Sequence, residues 1–161
     1  MQKLTGENFE SAKYFMLDAK EQALKSTCQR SRCGSVVVSK GGTVIGRGLN
    51  SPPGGLESQR RCLCDKSSYN PKVTDKTCCI HAEQRAIIDS LSSFFPSKQL
   101  FFVRLDDTGE IKRSGKPYCT ICSKLALDVG IKEFCLWHED GIYAYNTEEY
   151  NRLSYEYEKQ K

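Results

Sequence analysis

Two short segments, 38 residues apart from histidine to first cysteine, constrain this chain more than anything else in it. They are Cys79-Ile80-His81-Ala82-Glu83 and Pro117-Tyr118-Cys119-Thr120-Ile121-Cys122. Each stands where a helix is expected to begin. A Cys-x-x-Cys pair at a helix start aims both sulfurs at one point, and the unpaired N–H groups and dipole there favour thiolates, the ligating form. His81 offers a third donor, a ring nitrogen. Three protein donors leave one tetrahedral position open, the pattern of a catalytic rather than a structural zinc. A water in that position is acidified toward neutral pH. Glu83, two residues after His81, cannot easily bind the same metal but can reach that water and move its proton. Any fold for this chain must therefore bring two helix starts together.

The rest of the chain supplies the elements to do so. Phe9, Ala12, Met16, Ala19 and Ala23 repeat at spacings of three and four, which predicts an amphipathic helix over residues 7–25. Two β-rich runs, Ser35–Ser39 and Thr43–Gly48, flank a Gly41-Gly42 pair and read as a hairpin. A second helix is expected from His81 to Leu91, with Ala82, Ala86, Ile87 and Leu91 facing the core. Leu100–Leu105 reads as a buried strand and 106–116 as a polar turn region. A third helix fits Cys119 to Val129, ended by Gly130. Strands over 131–137 and 141–145 follow, then a helix capped by Asn146 or Thr147 and running to about Tyr157. The hairpin implies antiparallel pairing and the strand–helix–strand portion parallel pairing. The expected architecture is a three-layer αβα sandwich with a mixed, about five-stranded sheet, formed by residues 1–161 as one domain.

Residues 51–77 are the least regular stretch, and a loop of that length is expected to be functional or tied down. It holds Cys62 and Cys64. Nine cysteines in 161 residues, an odd number with no secretory signal visible, favour metal binding over a disulfide framework. A cytoplasmic setting is expected. No window approaches the length of apolar chain that crosses a membrane. The net charge of +4 suits a small anionic substrate and is weak for a nucleic-acid groove.

With these residues in view, the chain resembles the cytidine/deoxycytidylate deaminase superfamily, most closely its deoxycytidylate branch. His81 through Ile87 is similar to that branch's His-Ala-Glu-x-Asn-Ala-Ile segment, and Ser26 through Val38 to the segment leading into its first hairpin. Gly46-Arg47-Gly48-Leu49-Asn50 resembles the strand end whose asparagine contacts the sugar. The likeness spans about residues 7 to 138. It implies a cytidine deaminase-like fold, zinc held by His81, Cys119 and Cys122, and Glu83 as proton shuttle. It also implies Asn50 on the ribose, the Ala82 backbone at the base carbonyl, and a homo-oligomer. Departures are Tyr118 between Pro117 and Cys119, where it could line the pocket; Arg85 in place of asparagine; Ser51 after Asn50; and the long gap between His81 and Cys119.

The resemblance further implies a second, structural zinc in some members. The candidates for it here are Cys28, Cys62 or Cys64, and Cys78 or Cys79, pinning the 51–77 loop to the second helix. The expected reaction is hydrolytic deamination of a free cytosine nucleotide or nucleoside, foremost deoxycytidylate (dCMP). Deamination of cytosine or adenine within RNA or single-stranded DNA would use the same atoms but needs a basic groove with stacking aromatics. A non-enzymatic zinc module would have no use for Glu83.

Overall fold

The computed structural model describes residues 1–93 and 98–157. In chain order the elements are β1 (Gln2–Lys3), α1 (Gly6–Leu24), β2 (Cys33–Ser39), β3 (Val44–Leu49), α2 (Ala82–Ser90), β4 (Lys98–Leu105), β5 (Ile111–Lys112), α3 (Thr120–Asp128), β6 (Ile131–His138), β7 (Gly141–Asn146) and α4 (Thr147–Tyr155). One mixed sheet runs β1-β7-β6-β4-β2-β3, with β5 paired to β4. Among the described residues only β4 and β6 pair in parallel, joined by the α3 crossover. The five expected strands are present, and two-residue β1 and β5 bring the count to seven, since a pair of residues carries no readable period.

The sheet separates two apolar layers. On one face α1 lays Ala12, Phe15, Met16 and Ala19 against Val36, Val38, Phe101 and Val103. On the other, Ala82, Ala86, Ile87, Cys122, Ala126 and Tyr150 from α2, α3 and α4 pack on Val37, Leu100, Phe102 and Phe134. The alternation along β4 is the reason: odd-numbered residues face α1 and even-numbered ones the other helices. Cys135 is fully buried in the α1 layer.

Close approach of α2 to β3 depends on glycine. A Cβ on Gly48 would lie 2.1 Å from the Ala82 carbonyl oxygen and 2.4 Å from the Ala86 nitrogen. The bare backbone at that position lets the helix start sit directly on the strand. One expected core residue is corrected: Leu91 is exposed, because α2 ends at Ser90 and buries that serine instead. The 51–77 stretch forms three short 3₁₀ turns, at Pro53–Gly55, Glu57–Gln59 and Lys66–Ser68. Its start is tied to the first motif segment, where the Ile80 N–H donates to the Ser51 carbonyl at 3.0 Å. Among the described residues no helix is long and apolar enough to cross a membrane.

Candidate active site

The two helix starts do converge. His81 is the N-cap of α2 and Cys119 the N-cap of α3, so both project from the ends of helices that lie on the same face of the sheet. The His81 backbone N–H donates to the Gln84 Oε1, which holds the turn at the start of α2. The His81 Nδ1 lies 3.2 Å from the Cys122 Sγ and 3.3 Å from the Cys119 Sγ. Donor atoms of His81, Glu83, Cys119 and Cys122 all fall within 4.8 Å of one another. Zinc bonds of about 2.3 Å to sulfur and about 2.0 Å to nitrogen put tetrahedral neighbours about 3.5 Å apart. One nitrogen and two sulfurs at these separations fit that ion, and they leave a fourth position on the Glu83 side.

The electrostatics agree with a site built for deprotonated ligands. A hydrogen bond from Cys122 brings the Cys119 thiol down to about 5 against its burial, with His81 adding to the effect. The same hydrogen bond, together with burial, pushes Cys122 well above its ordinary value. Contact with Cys119 pulls His81 up to about 9, against burial. Glu83 is 4% exposed, and burial followed by the charge on Cys119 pushes its carboxyl up to about 7. A carboxyl poised there both accepts and returns a proton near neutral pH.

The site opens on a small pocket of about 80 Å³ lined by Ser31, Cys33, Asn50, His81, Ala82, Glu83, Phe102 and Tyr118. All the expected substrate contacts, Asn50, Ala82 and Tyr118, therefore lie in its wall. Asn50 is largely committed to the protein itself. Its Oδ1 accepts from the Cys33 N–H at 2.8 Å and the Ser26 hydroxyl at 2.6 Å, and its Nδ2 donates to the Ser31 carbonyl at 2.8 Å. One Nδ2 hydrogen remains for a ligand. Tyr118 is half exposed and meets Tyr157 edge-on, ring centres 5.9 Å apart. Arg85 lies outside this pocket and donates to the Pro52 carbonyl at 3.1 Å. His138 binds the Tyr145 hydroxyl at 2.8 Å, away from the donors.

Sequence reasoning missed Ser31, Cys33 and Phe102 as pocket walls. The alternation of β2 and β4 carried the signal for the last two: Cys33 and Val37 share one face of β2, as Leu100 and Phe102 share one face of β4. Burial, ahead of the nearby Glu83 charge, pushes the Cys33 thiol up to about 12, so it lines the pocket as a neutral group.

A second cluster forms under the long loop. Cys28, Cys62, Cys78 and Cys79 bring their sulfurs within 4.8 Å of one another. Cys62 and Cys79 are 3.8 Å apart and Cys78 and Cys79 3.7 Å. Tetrahedral zinc thiolates at bonds of about 2.3 Å place sulfurs about 3.8 Å apart, so the four also fit zinc, with no position left open. Cys64 is exposed and outside the group. Of Cys62 and Cys64, Cys62 lies in the cluster, and so do both Cys78 and Cys79. Against its burial, hydrogen bonds from the Gln29 backbone, Cys78 and Arg60 bring Cys62 down to about 7.

This fold and donor set define a mixed α/β domain with a His/Cys/Cys metal-binding set, and the family model for the cytidine and deoxycytidylate deaminase zinc-binding region matches residues 9–137. The chain belongs to that family. It is 30% identical over 123 residues to the deoxycytidylate deaminase of Schizosaccharomyces pombe, a match covering 74% of this chain. The chain spans about a third (34%) of the length of that relative. Among solved structures it is similar to the dCMP deaminase of cyanophage S-TIM5 in complex with dCMP and dUMP, with a TM-score of 0.55 and 24% identity over 81% of this chain and 82% of that one. It is also similar to the cytidine deaminase of Mycobacterium tuberculosis, with a TM-score of 0.50 and 16% identity over 82% and 88%. At these identities the structural likenesses establish the fold.

Proposed function

We propose that the protein is a zinc-dependent hydrolase that deaminates a free cytosine nucleotide or nucleoside, foremost dCMP, releasing ammonia. The observation that carries this is the buried Glu83 in the wall of a small pocket with His81, its carboxylate within 4.8 Å of the His81, Cys119 and Cys122 donor atoms. Zinc, when bound, lowers the pKa of a water at the open position. Glu83 takes the proton of the attacking water and passes it to N3 of the base as the new oxygen bonds to C4. Glu83 then carries the remaining hydroxyl proton to the departing amine, the C4–N bond breaks, and ammonia leaves. The Ala82 N–H, at the first turn of α2 where no intrahelical acceptor exists, faces the base carbonyl. The free Nδ2 hydrogen of Asn50 faces the sugar, and Tyr118 closes the outer wall.

Ammonia release from dCMP and deoxycytidine by the zinc-loaded protein tests the reading. Glu83→Gln should lower turnover about 10²–10⁴-fold while zinc stays bound. Unchanged turnover in that variant would overturn the role of Glu83, and no release from any free pyrimidine would overturn the reaction. A base within a nucleic acid is the weaker reading, since the net charge is only +4.

The four-cysteine cluster is read as a structural zinc that pins the 51–77 loop beside His81. Elemental analysis should then find about two zinc ions per chain, from two donor sets. Cys62→Ser or Cys28→Ser should lower this to about one and expose the loop to limited proteolysis, while Cys64→Ser keeps both ions. Full zinc in Cys62→Ser would sink the assignment. A cytoplasmic location and folding of residues 1–161 as one domain complete the reading, supported by the free thiols and the single sheet, together with a homo-oligomeric state that rests on the family resemblance.

A further inference from the structure

Beyond the packed part of β4, the face that carries Leu100 and Phe102 continues to Arg104. In the sheet Arg104 stands opposite Cys33 of β2 on one side and opposite Lys112 of β5 on the other. Cys33 and Phe102 line the catalytic pocket, so Arg104 projects on the same side just outside it. Like charges directly opposite one another in a sheet are unfavourable. Arg104 and Lys112 are both exposed, and neither forms an ion pair with the described residues.

Of the compartments that adjoin the catalytic pocket, Arg104 and Lys112 line two; a third, which shares Ser31, Asn50 and His81 with it, carries Arg30 and Lys66 instead. One is reached past Phe102 and Tyr118; it adds Arg113 and Lys116 and has no acidic side chain in its wall. The Arg113 guanidinium carbon lies over Trp137, 4.0 Å from the ring centre, and its buried Nη1 has no hydrogen-bond partner among the described residues. The other is reached past Ser31 and adds Arg30 and Arg32, facing Asp106 and Asp107. The Asp106 carboxylate is turned back on the Thr108 and Glu110 N–H groups. A substrate whose base sits against Glu83 must send the far end of its sugar out of the pocket, and on the two routes past Phe102 or Ser31 it meets Arg104 and Lys112, whereas the route past Asn50 and His81 leads to Lys66.

We propose that Arg104 and Lys112 are the specificity-determining residues of this site, binding a phosphate monoester on the 5′ carbon and so selecting nucleotide over nucleoside. This rests on the reading of the pocket as a cytosine deaminase site. A guanidinium grips a phosphate through two parallel hydrogen bonds, and an ammonium adds a point charge. The anion also relieves the repulsion between the two strands. The segment between β4 and α3, which lengthens the gap between the two motifs, thereby has a purpose: its β5 strand places Lys112 beside Arg104.

The test compares binding of dUMP and deoxyuridine to the zinc-loaded protein by titration calorimetry, which needs no turnover. The wild-type chain should prefer dUMP at least about tenfold, and Arg104→Gln should cut that preference about tenfold. Lys112→Gln should cut it less, and Arg104→Lys should restore part of it. Lys132→Gln, an exposed cation at the opposite end of the sheet, should leave it intact. Near-UV circular dichroism and zinc content check that each variant is folded. Equal affinity for the two ligands, binding of neither, or a preference that survives Arg104→Gln overturns the proposal. Ammonia release measured alongside separates the two readings. A dUMP preference lost in Arg104→Gln, without deamination of dCMP, would retain the subsite and sink the reaction. Equal deamination of dCMP and deoxycytidine would retain the reaction and sink the subsite.

Discussion

At the scale of single residues, the ligand set in the metal-free chain holds its protons unevenly. Cys119 is a thiolate near neutral pH, while His81 and Cys122 each keep a proton. Zinc binds only the deprotonated forms, so two of the three donors must give up a proton on binding. Metal uptake at this site near pH 7 should release about two protons, and affinity should rise with pH until His81 and Cys122 have both ionised. Calorimetric titrations in buffers of different ionisation enthalpy, with the other site already filled, measure the number. Release of none would mean that the ligands are already ionised. The identity of these residues was legible in the sequence because donor type and helix-start position are local properties. Arg104 was not, because its meaning comes from two neighbours on other strands.

At the scale of elements, the seat of α2 on β3 sets the ligand position. A methyl group on Gly48 would collide with the backbone of Ala82 and Ala86, so Gly48→Ala must lift the helix start that carries His81. Overpacking of this kind costs about 1–3 kcal/mol. Chemical denaturation should show a loss of that size, and a metal-competition titration should show weaker zinc binding, since His81 moves with α2. Wild-type values for both would mean that β3 yields instead. The helix α1 was readable from its repeat, and all four residues of the expected stripe from Ala12 to Ala23 are buried. Leu91 misled because a periodic pattern does not mark where a short helix stops. The strands β1 and β5 were unreadable for the opposite reason: they are too short to show a pattern, and pairing with β7 and β4 makes them strands.

At the scale of the whole molecule, one sheet is shared by both apolar layers, and β2 and β4 contribute side chains to each. Neither layer can come apart without exposing the other. The zinc-loaded chain should therefore unfold in a single transition, with far-UV and near-UV circular dichroism changing together. Separate transitions would show that the loop cluster or the α1 layer melts on its own. The sequence by itself determined the chemistry available here: the donors, the carboxylate beside them, and the helices and strands that carry them, all set by residue type and short-range period. Only the tertiary structure decided which groups meet. Cys62 joins Cys28, Cys78 and Cys79 while Cys64, two residues away, points to solvent, and Arg104 faces Lys112 across a strand pair. The path of an irregular loop and the register of a two-residue strand are set by packing between distant parts of the chain, and no local pattern records them.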